Sequence, residues 1–354
     1  MTVWYRPSGR LHLLEQLING LLKKVQHSKK IPMPRSNPLD RDLYPSIEAS
    51  ATGHHLTNDG HSIYWETVGV PDGIPVIFLH GGPGGGLSPS FRRFFDPSHF
   101  KVLLFAQRGC DKSKPHGSME NNTTQHLIRD IEALRKLHNI DKAIIFGGSW
   151  GSTLALAYAQ AHPDKCLHLV LRGIFLGRSQ EIDWFMNGMN AFFPEATKEF
   201  LRQADGLSGK ALLNFYYERL MDPDPEVHRP AALIWANYEG ACASISPAKT
   251  PHYSQANIDE ALAIARAEAH YFVNDLFLKD APLLTNIDKL TEIPGTIIQG
   301  RYDVICPPVS AYELAEAWPL SDLRIIDTAG HSSMDTGIRR ALVGSMEKLK
   351  KSPA

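Results

Sequence analysis

From about residue 56 onward, short apolar runs alternate with stretches of helical spacing. Segments 62–68, 75–79 and 102–105 read as strands, 124–137 as a helix, 143–146 as a strand followed by helix 151–162, and 167–171 as a further strand. Such alternation predicts parallel strands joined by crossover helices. Because these strands are apolar at nearly every position, they are expected to be buried on both faces. After residue 177 the rhythm changes. Residues 178–288 carry helical patterns at 184–189, 198–203, 212–221, 231–242 and 258–274, with no strand pair between them. Strand patterns resume at 296–299 and 323–327, and a closing helix spans 338–350. A helical block set between strands of one sheet reads as a cap. The expectation is therefore an α/β chain with a mostly parallel central sheet flanked by helices. Its core comprises residues 44–177 and 289–354, its cap 178–288, and an extension with a linker 1–43.

That extension has its own pattern. Leu11, Leu14, Leu17, Ile18, Leu21 and Leu22 fall on one helical stripe, followed by Lys23, Lys24, Lys29 and Lys30. Residues 1–42 hold eight Lys/Arg against three acids, a net +5 within a chain of net −1. A basic amphipathic helix packs on the main body or a partner subunit, lies on a membrane surface, or acts as a targeting segment. Glu15 and the lack of a small-residue cleavage site favour packing over membrane contact. Four prolines between 31 and 49 then read as a linker.

A chain that is 43% hydrophobic and 21% charged is an ordinary globular one, which sets aside disordered and disulfide-dense classes. Its near-zero net charge gives no steering toward nucleic acid. Four widely spaced cysteines without a C-x-x-C pair suggest free thiols in a reducing, cytoplasmic setting. No apolar run reaches the roughly 18 residues a membrane-spanning helix needs. The pattern carries no signature of a particular oligomeric state.

The chemistry concentrates in three motifs. Gly147-Gly148-Ser149-Trp150-Gly151 is a G-x-S-x-G placed between strand 143–146 and a helix. Glycines on both sides permit a sharp turn that projects a serine hydroxyl from the carboxyl edge of a sheet, as a nucleophile elbow requires. His80-Gly81-Gly82-Pro83-Gly84-Gly85-Gly86 follows strand 75–79 and lacks the Lys-Ser/Thr end of a phosphate loop. It suits an oxyanion hole, with the Gly82 and Trp150 backbone N–H groups as donors. His331 and Asp303 follow the last two strands, so the order Ser149, Asp303, His331 is that of an α/β-hydrolase triad of nucleophile, orienting acid and base. Asp327 is a rival acid, inside the strand that leads to His331. The sixteen histidines show no metal-ligand spacing, so neither metal nor cofactor is expected.

From about Tyr44 onward, the segments H-G-G-P-G-G-G (80–86), G-G-S-W-G-S-T-L-A-L-A-Y-A-Q (147–160), L-V-L-R-G-I-F (169–175), A-E-A-H-Y-F (267–272), G-R-Y-D-V-I-C-P (300–307) and G-H-S (330–332) resemble the proline iminopeptidase family. The resemblance implies a metal-free serine exopeptidase for short peptides with an N-terminal proline. It also implies that Glu239 and Glu268, on cap helices, bind the free substrate amine, for which paired carboxylates are chemically suited. The chain departs from the family pattern at Ala106, where an acid is usual, at Asp111, where glycine is usual, and along 332–335. A related esterase, amidase or tripeptidyl aminopeptidase would share the triad. A catalytically silent binding protein would need none of it. Cys306, three residues after Asp303, reads as a buried thiol beside the site.

Overall fold

Ile77, Leu79 and Ile145 alternate with Val76, Phe78, Ile144 and Phe146 along two neighbouring strands, and the two sets enter separate hydrophobic cores on opposite faces of one sheet. In this computed structural model the described residues are 42–204, 206–245, 253–278 and 282–351. Among the described residues the sheet has eight strands: β1 (Ala51–Leu56), β2 (Ser62–Gly69), β3 (Ile74–Leu79), β4 (Phe100–Phe105), β5 (Ala143–Ser149), β6 (Cys166–Ile174), β7 (Gly295–Gly300) and β8 (Ser321–Ile326). Their order is β1-β2-β4-β3-β5-β6-β7-β8. The β1/β2 and β2/β4 pairs are antiparallel and the other five are parallel. Double-sided burial follows from the crossovers, which cover both faces with helices.

Helix α1 (Thr124–Leu137) joins β4 to β5, and α2 (Trp150–Ala161) leads from β5 to β6. Between β6 and β7 come α3 (Ser179–Asn187), α4 (Pro194–Leu201), α5 (Gly209–Met221), α6 (Pro225–Cys242) and α7 (Ile258–Val273). Helix α8 (Pro308–Ala317) joins β7 to β8, and α9 (Thr336–Leu349) closes the chain. The helical insertion and the sheet belong to one compact unit, Leu39–Ala354. Among the described residues no helix is long and apolar enough to cross a membrane. The basic extension, apart from 42 and 43, lies outside the described residues.

Three elements differ from the expectation. The sheet starts before residue 56, because β1 is an exposed edge strand whose sequence, Ala-Thr-Gly-His-His-Leu, lacks a buried apolar face. Helix α6 begins at Pro225 rather than after Pro230, since Asp224 caps it by accepting the Glu226 N–H at 2.9 Å. A proline inside a helix removes one backbone hydrogen bond and does not by itself end the helix. Helix α8 was not anticipated. It is short and starts on Pro308, a favoured first helical residue.

Candidate active site

Strand β5 ends at Ser149 and α2 starts at the next residue, so the chain reverses direction on the serine itself. Ser149 has φ +57° and ψ −129°, a conformation that costs a non-glycine residue about 1–3 kcal/mol. The flanking glycines are a packing requirement. A Cβ at Gly147 would lie 2.2 Å from the Gly151 carbonyl oxygen, and one at Gly151 would lie 2.2 Å from that of Leu79. Ser149 is buried and stands at the carboxyl edge of the sheet, where open α/β sheets place ligands.

The carboxyl ends of β7 and β8 bring Asp303 and His331 together. His331 Nδ1 lies 3.0 and 2.9 Å from the two Asp303 carboxylate oxygens. The same carboxylate accepts the Cys306 N–H at 2.8 Å and Gln299 Nε2 at 3.1 Å. With Nδ1–H facing a carboxylate, Nε2 is left as the acceptor; here it receives Arg172 Nη1 at 3.2 Å, and among the described residues no hydrogen bond joins it to Ser149 Oγ. Gly173, at φ +58°, leaves room for this pair: a Cβ there would lie 3.1 Å from His331 Cε1. The loop that carries His331 is held by Asp335, which accepts the Gly330 N–H at 2.7 Å, and by the Ser332 N–H bond to the Ala243 carbonyl at 2.9 Å. Asp327 sits just past β8 rather than inside it. It points to solvent with its side chain 83% exposed and pairs with Arg301.

The glycine-rich loop after β3 lies against the elbow, so that a Cβ at Gly81 would approach Ser149 Cβ to 3.3 Å. Gly82, at φ +108°, lines the same cavity as Ser149. His80 anchors the loop: its Nε2 accepts the Gln107 N–H at 2.9 Å and its Nδ1 donates to the Gly81 carbonyl at 2.8 Å. Burial pulls the His80 pKa down to about 4, so this ring is neutral and structural. Gln107 also donates to the His80 carbonyl at 2.9 Å and accepts from the Trp150 indole at 2.8 Å, which ties the loop to the elbow. Sequence reasoning missed Gln107, although it stands between the unusual Ala106 and Arg108. Ala106 packs with Tyr64, Cys110 and Ala263, and Asp111 adopts φ +49° while accepting the Leu87 N–H at 3.2 Å.

A cavity of about 310 Å³ holds Ser149, Gly82, Glu239 and Glu268, with Phe175, Phe185 and Phe272 as apolar walls. Glu268, on α7, is fully buried and accepts the Trp235 indole N–H at 2.6 Å. It is also hydrogen-bonded to Glu239 of α6, and burial together with that second carboxylate pushes its pKa well above the ordinary range. Two carboxyl groups can share a hydrogen bond only if one keeps a proton. Cys306 lines the same cavity, and burial pushes its thiol pKa well up. Glu181 is there too, its carboxylate engaged by the backbone N–H groups of Leu176 and Arg178 at 3.2 and 2.9 Å. The three aromatic walls were not identified in advance, though Phe175 and Phe272 lie inside recognisable segments. Among the described residues no cluster could hold a metal.

This sheet and elbow are those of an α/β hydrolase, and residues 74–338 match the family described as alpha/beta hydrolase fold. Proline iminopeptidase from Arabidopsis thaliana is 49% identical over 88% of this chain and 82% of its own length. Its counterpart from Neisseria gonorrhoeae is 44% identical over 87% and 98%. The crystal structure of proline iminopeptidase from Mycobacterium smegmatis superposes with a TM-score of 0.57 at 16% identity, over 86% of this chain and all of that one, which speaks for the fold. The chain belongs to the proline iminopeptidase family.

Proposed function

We propose that this protein is a serine exopeptidase that releases N-terminal proline from short peptides. Ser149 Oγ attacks the prolyl carbonyl carbon while His331 Nε2 takes its proton, and Asp303 holds the ring and stabilises the imidazolium. The oxyanion receives the Gly82 and Trp150 backbone N–H groups, the latter at the amino end of α2, where negative charge is favoured. His331 then delivers the proton to the departing nitrogen as the C–N bond breaks, and a water repeats the sequence on the acyl-enzyme. The helical insertion acts as a cap over the cleft. The observation that carries the substrate assignment is the hydrogen-bonded pair of Glu239 and the buried Glu268 in the same cavity as Ser149. A protonated prolyl nitrogen entering there completes a cation–carboxylate cluster, and the aromatic walls receive the pyrrolidine ring. A site built for an ester alone has no need of two carboxyl groups in contact. Four free, buried cysteines favour action in a reducing compartment, the cytoplasm.

The test is the relative release of Pro-, Ala- and N-acetyl-Pro-naphthylamide, with Ser149→Ala as control. Release of proline from the free substrate, lost in the variant and absent with the blocked one, is the expected result. Strong turnover of the N-acetyl substrate would exclude the assignment.

A further inference from the structure

A second cleft, of about 340 Å³, opens beside the elbow and is lined by neither Glu239 nor Glu268. Its lining includes Gly81 and Gly148, the Arg172 side chain, and Ser333, with Phe91 and Leu342 as apolar walls. Arg172 stands on β6 at the register position facing Gly148 of β5. Its Nη1 donates to the His331 carbonyl at 2.7 Å and to His331 Nε2 at 3.2 Å. Among the described residues, Nε and Nη2 make no hydrogen bond and the guanidinium has no ion-pair partner. A Cβ at Gly148 would lie 2.6 Å from Nη2 and 2.7 Å from Nε, so any side chain at this position before the serine would displace the guanidinium. Asp303, Asp335 and Glu239 stabilise its charge at longer range, but the Nε and Nη2 N–H groups stay unused, and a carboxylate that accepts a bidentate pair from them is their natural complement.

Distance decides which carboxylate. The departing nitrogen takes its proton from His331 Nε2 and so lies about 3 Å from that atom. It is therefore within roughly 6 Å of Arg172 Nη1, the sum of that contact and the 3.2 Å one. In a dipeptide the carboxylate carbon is two bonds of about 1.5 Å beyond the departing nitrogen, which puts its oxygens within reach of the guanidinium. In a longer peptide a neutral carbonyl occupies that place. We infer that Arg172 and the cleft beside Gly148 form a seat for the free α-carboxylate of the leaving amino acid, which makes dipeptides with N-terminal proline the favoured substrates. The inference rests on the exopeptidase reading and adds the identity of the leaving half.

The experiment compares kcat/KM for Pro-Gly and for Pro-glycinamide in the wild-type protein, Arg172→Gln and Arg172→Lys, with Pro-naphthylamide in parallel. The wild type should favour the free acid roughly 10- to 100-fold, the range for a hydrogen bond to a charged group. In Arg172→Gln that ratio should fall toward one, and Arg172→Lys should retain part of it. Because Arg172 also touches His331, the ratio is the diagnostic quantity rather than the absolute rate. A wild-type ratio near one overturns the carboxylate seat, and that measurement stands even where the Gln variant does not fold. An acid-to-amide ratio unchanged in Arg172→Gln overturns it as well and leaves Arg172 as a support for His331. Both outcomes spare the exopeptidase reading if Pro-naphthylamide is still cleaved. Its absence in the wild type removes both.

Discussion

Replacing Glu268 by glutamine isolates the contribution of the buried acid of the pair. The carboxyl group is fully buried, receives the Trp235 indole at 2.6 Å and shares a hydrogen bond with Glu239. Glutamine has nearly the same volume, and its amide oxygen can still accept from Trp235. What it removes is the capacity to become the second anion when a prolyl ammonium arrives. Leaving a buried cation one carboxylate short costs about 3 kcal/mol, the lower part of the range for breaking a buried pair. At about 1.36 kcal/mol per factor of ten, that is a loss of roughly two orders of magnitude in kcat/KM. The assay sets Pro-naphthylamide against p-nitrophenyl acetate, which has no amine to anchor and uses the same nucleophile and base. The first should fall about 100-fold and the second by less than about threefold. A comparable loss on both substrates would refute amine anchoring and make Glu268 a structural residue of the α6–α7 contact.

The same variant carries a pH signature. The folded protein raises the Glu268 pKa, so it favours the protonated form. The stability due to that proton is fully present below the unfolded value of about 4.5 and is lost as pH rises through the raised one. Glutamine cannot lose it, so calorimetry should find the melting advantage of Glu268→Gln over wild type growing as pH rises above about 4.5; a constant difference contradicts the shift. At the elbow, Ser149→Gly relieves the positive φ whereas Ser149→Ala does not. Urea unfolding should show the glycine variant more stable than the alanine one by about 1 kcal/mol, after allowing for the extra freedom of unfolded glycine. An alanine variant of equal or greater stability would mean the elbow is unstrained. Finally, Asp303→Asn should reduce kcat by about 10³- to 10⁴-fold, while Asp327→Asn should leave it within about twofold. Reversed results would make Asp327 the orienting acid.

Much of this edge of the sheet is written in local sequence, because a strand, a glycine-flanked serine and a helix are each specified by steric rules within a few residues. The elbow at Ser149 and the glycine-rich loop beside it are legible for that reason, and the placement of Asp303 and His331 follows once the last two strands are recognised. The sequence left Asp303 and Asp327 as rivals, and only strand geometry separates them. One turns inward onto the His331 ring, while the other passes the end of β8 into solvent. Edge strand β1 was hidden because an exposed edge needs no apolar alternation. Glu239 and Glu268 are carried by different helices, and nothing in their spacing indicates that α6 and α7 pack so closely that the two carboxyl groups share a proton. Gln107, which ties the loop to Trp150, and Arg172, laid against a bare Gly148, acquire meaning only from neighbours on other strands and loops. Backbone sterics act over a few residues and can be read along the chain, whereas charge pairing and cavity walls depend on side chains that only the packed sheet and helices bring within a few ångströms.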